Sequence, residues 1–165
     1  MPLTKLNSAS VIERLPVGSV IQMPTPLVTT SNTAHSTTSF TNTNLVLSIT
    51  PTSTSSKVLI TASFSVRPYH NGYQSFGRLG LYRGSTLLAT RDVNTDGGNT
   101  ARWMTFPCGF VHLDSPSTTS ATEYRIKARV LWTDYSSQID VGEFYNDTGN
   151  DETNQQTLIL QEIAG

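Results

Sequence analysis

The chain has 165 residues, a formal net charge of -1 and a charged fraction of 14%, low against the roughly 25% of ordinary soluble domains. Near-neutrality without a basic stripe argues against nucleic acid as a partner, and no apolar run nears the roughly 18 residues of a spanning helix, which argues against membrane insertion. Cys108 is the only cysteine, so no intramolecular disulfide can staple the fold.

A chain of this length can bury about 70% of its unfolded surface, enough for one core. The expected organisation is an arm over residues 1–16 and a single domain over residues 17–165. Ser and Thr make up roughly a quarter of the chain and supply the polarity that charges do not. Thr favours strands and Ser favours turns, so this polarity points to an all-β surface.

The arm carries Leu3, Leu6, Val11, Ile12 and Leu15, with a helical turn expected over residues 9–14 and ended by Pro16. It lacks the apolar stretch of a signal peptide, so synthesis in a cytoplasm is expected. Residues 17–23 read as a first strand, and the Ser/Thr/Asn tract of residues 28–43 as an extended edge segment. Residues 45–49 alternate and stop at Pro51. In residues 57–66, Val58, Ile60, Ala62, Phe64 and Val66 share one face, the pattern of a core strand. Residues 76–82 and 86–91 flank Arg83-Gly84-Ser85 and predict a hairpin. Residues 102–111 predict a strand that lies at an edge or carries a bulge at Pro107, because Pro107 has no donor to give a neighbour. Residues 123–132 place Glu123, Arg125, Lys127 and Arg129 on one face and Tyr124, Ile126, Ala128, Val130 and Trp132 on the other. Residues 138–144 and a closing strand over residues 155–165 complete about eight to ten strands. A strand that runs to the last residue is expected to be paired inside a sheet.

Short strands at near-regular spacing without a long helix predict a two-sheet antiparallel β-sandwich of jelly-roll type. Aromatic residues gather near strand ends (Tyr69, Tyr73, Trp103, Tyr124, Trp132, Tyr135, Phe144, Tyr145), and some are expected at a subunit interface.

Chemistry-bearing motifs are sparse. Asp92-Val93-Asn94-Thr95-Asp96-Gly97 opens like a calcium loop, with Asp92, Asn94 and Asp96 at alternate positions. The twelfth position is Trp103 where a bidentate Glu is required, so a hairpin turn is expected and no metal or other cofactor. His35, His70 and His112 are separated by long gaps without ligand spacing. The nearest approach to a paired-carboxylate hydrolase is Asp134, Asp140 and Glu143, which would need separations of about 5 to 10 Å. Three loops combine Tyr with Asn or Asp, a pairing suited to polar surfaces and sugars: Tyr69, His70, Asn71 and Tyr73; Asp134 and Tyr135; Tyr145 and Asn146. The same composition describes ordinary solvated turns.

Four segments carry a family resemblance. Residues 40–60 (FTNTNLVLSITPTSTSSKVLI), 81–89 (LYRGSTLLA) and 113–124 (LDSPSTTSATEY), with residues 159–165 as the closing strand, resemble tail-fibre and receptor-binding structural proteins of tailed bacteriophages. The resemblance spans roughly residues 17–165 and contains no catalytic signature. It implies a non-enzymatic virion protein with a jelly-roll head similar to those of complement and tumour-necrosis-factor proteins, assembled as a homotrimer. Sixteen arm residues reach no more than about 55 Å, so a long shaft is not expected. The expected form is a short knob held to another virion protein through Leu3, Leu6, Val11, Ile12 and Leu15. Its loops would contact a host surface glycan or protein. A capsid decoration protein or head fibre held to the shell by the same arm fits equally well; a polysaccharide-degrading enzyme fits less well.

Overall fold

A computed structural model describes residues 15–70, 75–95, 102–133, 137–145 and 151–165 of the chain. Among them every regular element is a strand: β1 (Val20–Gln22), β2 (Leu27–Thr29), β3 (Thr33–His35), β4 (Thr41–Ile49), β5 (Lys57–His70), β6 (Ser75–Arg83) and β7 (Thr86–Thr95), followed by β8 (Arg102–Trp103), β9 (Phe106–Asp114), β10 (Thr122–Val130), β11 (Gln138–Val141), β12 (Glu143–Tyr145), β13 (Asp151–Thr153) and β14 (Gln156–Ile163).

The larger sheet is organised by β5. At 14 residues it is long enough to hold two strands in tandem on each flank, β14 and β11 on one side and β9 and β8 on the other. β1 and β2 pair with the far side of β14, and β3 with the far side of β11. The smaller sheet runs β4-β10-β6-β7, and β12 and β13 form a separate hairpin. Apart from the β6–β7 hairpin and the step from β8 to β9, the chain passes from one large layer to the other at each step between β4 and β10, which gives the jelly-roll order. Gly84 opens the two-residue β6–β7 turn at φ 54, the left-handed backbone that a hairpin loop of this length asks for at its first position.

The inward face of β5 matches its alternation. Val58, Ile60, Ala62, Phe64 and Val66 are all buried, and they pack with Leu79 and Leu81 of β6, Tyr124, Ile126, Ala128 and Val130 of β10, and Leu158 and Leu160 of β14. The Ser/Thr/Asn tract does run as edge segments, β2 and β3, and β9 with its Pro107 pairs only with β5 among the described residues. The C-terminal strand is interior, paired on both sides, and beyond it the Gly18 amide donates to the Ala164 carbonyl and the Ala164 amide to the Ser19 carbonyl, each at 2.8 Å.

Three expectations need correction. Trp132 lies beyond the end of β10, 43% exposed, edge-on to Phe76 at 4.6 Å, because β10 stops at Val130 and the chain turns away. Tyr124 itself is fully buried with Ile126, Ala128 and Val130, as the alternation predicts. Residues 138–144 form two strands, divided at Gly142, and residues 102–111 are interrupted between β8 and β9. The helical turn expected over residues 9–14 lies outside the described residues.

Polar bonds pin the ends of the sandwich. Asp114 at the end of β9 accepts from the Tyr124 hydroxyl at 2.7 Å and from Arg83 Nη1 at 2.8 and 2.9 Å, bonding one sheet to the other. Burial, with the Asp114 carboxylate beside it, pushes the Tyr124 phenol far up. On β14, buried Glu162 accepts from Gln22 Nε2 at 2.6 Å and from the Thr52 amide and hydroxyl at 2.7 Å. Burial pushes its carboxyl up, but the donors of Ser56, Gln22 and Thr52 outweigh that and hold it below the usual value. Leu160→Ala removes a fully buried side chain from the centre of this core and is expected to lower stability by about 2–5 kcal/mol in chemical denaturation.

Candidate functional site

Three surfaces bear on function: the sheet end where the Tyr-rich loops begin, and the outer faces of the two sheets. Register brings several of the loop segments together at that end. Tyr69 pairs with Gln138 of β11 and Trp103 of β8, and His70 pairs with Arg102. Tyr145 pairs with Asp151 at the end of the β12–β13 hairpin, which is tied to β5 by a bond from the Gly142 amide to the Ser65 carbonyl and another from the Ser65 hydroxyl to the Glu143 carbonyl. Tyr69 is half-buried. Asn71, Tyr73, Asp134, Tyr135 and Asn146 lie outside the described residues. So do the arm residues Leu3, Leu6, Val11 and Ile12, while Leu15 is half-buried.

Beneath that end sits a buried ionic cluster. Arg67 of β5 meets Asp140 of β11 at 3.0 Å and also Glu143 of β12, and Gln138 Nε2 donates to the other Asp140 oxygen at 2.6 Å. Arg67, Asp140 and Glu143 are 2%, 1% and 8% exposed, so these carboxylates face a guanidinium rather than a groove open to substrate. They do not form the pair of facing acids that a glycosidase needs. His35 of β3 is buried close by, its ring nitrogens hydrogen-bonded to the hydroxyls of Thr41 and, at 2.9 Å, Thr33. Burial pulls its pKa below the ordinary value, and the Asp140 charge only partly opposes this.

Of the calcium-like segment, Asp92 and Asn94 are part of β7, and Asp96 and Gly97 lie outside the described residues. Arg78 Nε and Nη2 donate to the two Asp92 oxygens at 2.5 and 2.8 Å, and that hydrogen bonding holds the carboxyl below its usual range. No group of three or more His, Cys, Asp or Glu that could hold a metal occurs among the described residues. Burial pushes the Cys108 thiol up, away from the thiolate that nucleophilic chemistry requires. A neutral depression of about 460 Å³ lies where Ser63, Ser65, Thr105, Pro107, Asn154 and Gln155 meet.

The two outer faces have opposite character. On the larger sheet, Thr61 pairs with both Val111 and Ile159, Leu59 with both Leu113 and Gln161, and Ile163 with Val20. Their side chains point away from the core. Val111, Leu113 and Val20 are 78%, 51% and 51% exposed, so apolar side chains form a band over the outer face of four neighbouring strands, with Thr61 and Gln161 among them. On the smaller sheet the outward residues of β10 are Glu123, Arg125, Lys127 and Arg129, as their alternation predicts. Sequence reasoning missed the apolar band. Alternation of Val111 and Leu113 with His112 was visible, but their alignment with Leu59 and Ile159 is a matter of register between distant segments.

No protein family and no curated protein matches the chain in sequence. Among solved structures it is similar to a chain in the structure of infectious bursal disease virus Gx strain, over 85% of its own length at 17% identity and a TM-score of 0.30. It spans 32% of that chain, about a third of its length.

Two outcomes follow from the buried cluster. Arg67→Leu removes the guanidinium that Asp140 and Glu143 both bind and is expected to cost about 3–5 kcal/mol in denaturant titration. Because the folded state holds His35 below the unfolded value of about 6.5, the unfolded chain binds more protons as the solution acidifies. Stability is therefore full above that pH and falls as pH drops toward the depressed folded-state value, and His35→Gln should flatten this part of a melting-temperature profile.

Proposed function

We propose that the protein is a non-enzymatic structural component of a virion: a short homotrimeric jelly-roll knob, held by its N-terminal arm to another virion protein and contacting the host surface. The segments that resemble phage tail-fibre and receptor-binding proteins support the virion part of this reading. The observation that carries the assembly is the apolar band of Val111, Leu113, Leu59, Ile159, Ile163 and Val20 on the outer face of the larger sheet.

Monomeric proteins rarely leave contiguous apolar patches of more than a few hundred Å² in water, and an exposed apolar face of this kind, interspersed with Thr61 and Gln161, is what a subunit interface needs. Burying a Val or Leu side chain contributes about 1.5–3 kcal/mol, so a few such residues from each chain suffice for a stable contact. Three copies around an axis would cover the band and leave the loop ends on the periphery. Simultaneous engagement of three identical sites raises avidity above the affinity of any one of them.

Native mass spectrometry at micromolar concentration is expected to give the mass of three chains, and Val111→Asp combined with Leu113→Asp the mass of one, with an unchanged circular-dichroism spectrum. An image of the intact particle should place the knob at the tail, and purified protein should compete with phage adsorption; a knob on the capsid shell without competition would identify a decoration protein. A single-chain mass together with absence from the particle would overturn the reading.

A further inference from the structure

We infer that the outer face of the smaller sheet is a binding surface for an acidic polysaccharide, centred on Lys127 and Arg129 beside the rings of Phe40 and Tyr82. That the polymer belongs to a host surface rests on the reading above; the recognition chemistry stands on the face itself.

The chain as a whole has a net charge of -1, yet this face is cationic. Register places Arg78 beside Arg129 and opposite Asp92, so four cations (Arg78, Arg125, Lys127, Arg129) share it with two carboxylates. Both carboxylates are taken: Asp92 by Arg78, and Glu123 by Arg125 at 2.7 Å. Lys127 and Arg129 form no ion pair among the described residues. The Lys127 ammonium sits 4.4 Å from the centre of the Tyr82 ring and the Arg129 guanidinium 4.9 Å from that of Phe40, contacts that orient a cation without cancelling its charge. Arg129 Nη1 donates to the Thr38 carbonyl at 3.1 Å, while its Nε is shielded from solvent and has no hydrogen-bond partner among the described residues.

The rings are held in place by what lies beneath them. A side-chain carbon at Gly80 would fall 2.8 Å from Tyr82 and 3.1 Å from Phe40, so glycine is what lets this edge-on pair, 5.5 Å between centres, close over the sheet. Outward residues of one strand recur about every 6.8 Å, which turns Arg125, Lys127 and Arg129 into a line of charge about 14 Å long. A line suits a linear polyanion better than a small anion.

The chemistry of the surroundings selects among polyanions. Single-stranded nucleic acid is held by bases stacked on open aromatic faces, whereas here a cation already lies over each ring. The exposed neighbours Asn42, Ser48 and Thr90 offer amide and hydroxyl groups that match sugar hydroxyls. In the proposed trimer the apolar sheet turns inward, and this opposite face stays outward on every copy.

The test is titration of the full-length protein with polygalacturonate, using dextran as the neutral control and a single-stranded oligonucleotide as the rival polyanion. Polygalacturonate is expected to bind at about 50 mM salt and to weaken markedly at about 200 mM, with dextran inert. Lys127→Glu with Arg129→Glu should weaken binding by about tenfold or more. Lys127→Gln with Arg129→Gln should weaken it less, and serves as the readout should charge reversal impair folding; melting temperature and native mass should match the unmodified protein. No binding of polygalacturonate at low salt, undiminished binding by the Gln variant, or tighter binding of the oligonucleotide would each overturn the inference. A virion-borne trimer that ignores polygalacturonate defeats this inference alone, and a monomer that binds it defeats only the assembly reading.

Discussion

Every layer of this molecule is referred to the alternation of β5. Successive side chains of a strand point to opposite faces, so placing Val58, Ile60, Ala62, Phe64 and Val66 in the core obliges Leu59, Thr61 and Ser63 to face outward. Because β14 and β9 flank the same strand, their alternation is locked to it. A slip of one residue would drive Leu158, Leu160 and Phe110 into water and bring Ile159 and Val111 inside. Burial on one face thus dictates the chemistry of the other, and the apolar outer band is the remainder of that arrangement.

The charged groups of the described interior lie where a strand ends or where the tandem strands meet. Asp114, Tyr124 and Arg83 join the two sheets at one such place; Glu162, Gln22 and Thr52 join β14 to β1 and to the loop after β4. Arg67 lies along the stretch of β5 that β11 flanks, and binds carboxylates from β11 and from β12 across Gly142. Removing one member of such a cluster leaves a buried charge unanswered, so these sites enforce one arrangement of strands more than they add net stability. His35 adds a pH dependence to the same region, since its ring is buried at the edge strand β3.

The two outer faces divide the work of a surface. One presents aliphatic side chains suited to a second copy of the chain; the other presents cations and rings with their charge unbalanced. A sandwich permits this separation because its sheets face in opposite directions, and assembly through one does not obstruct recognition through the other.

The alternation in residues 57–66 and 123–130, the Gly84 turn and the edge position implied by Pro107 were legible in the sequence, since each depends on neighbours within a few residues. The two-sheet class followed from them. What could not be read was which distant segments share a register: that Val111 and Ile159 both meet Thr61, that Arg67 reaches Asp140, or that Phe40 closes over Gly80 beside Tyr82. The split of residues 138–144 and the exposure of Trp132 also escaped, because a strand ends where its neighbour ends rather than where its own pattern does. The sequence by itself determined which residues alternate, and hence that two faces of unlike chemistry must exist. Only the tertiary structure decided which residues join across strands to make each face, because pairing between segments far apart in the chain, such as Val20 and Ile163, is set by the mutual fit of their buried sides.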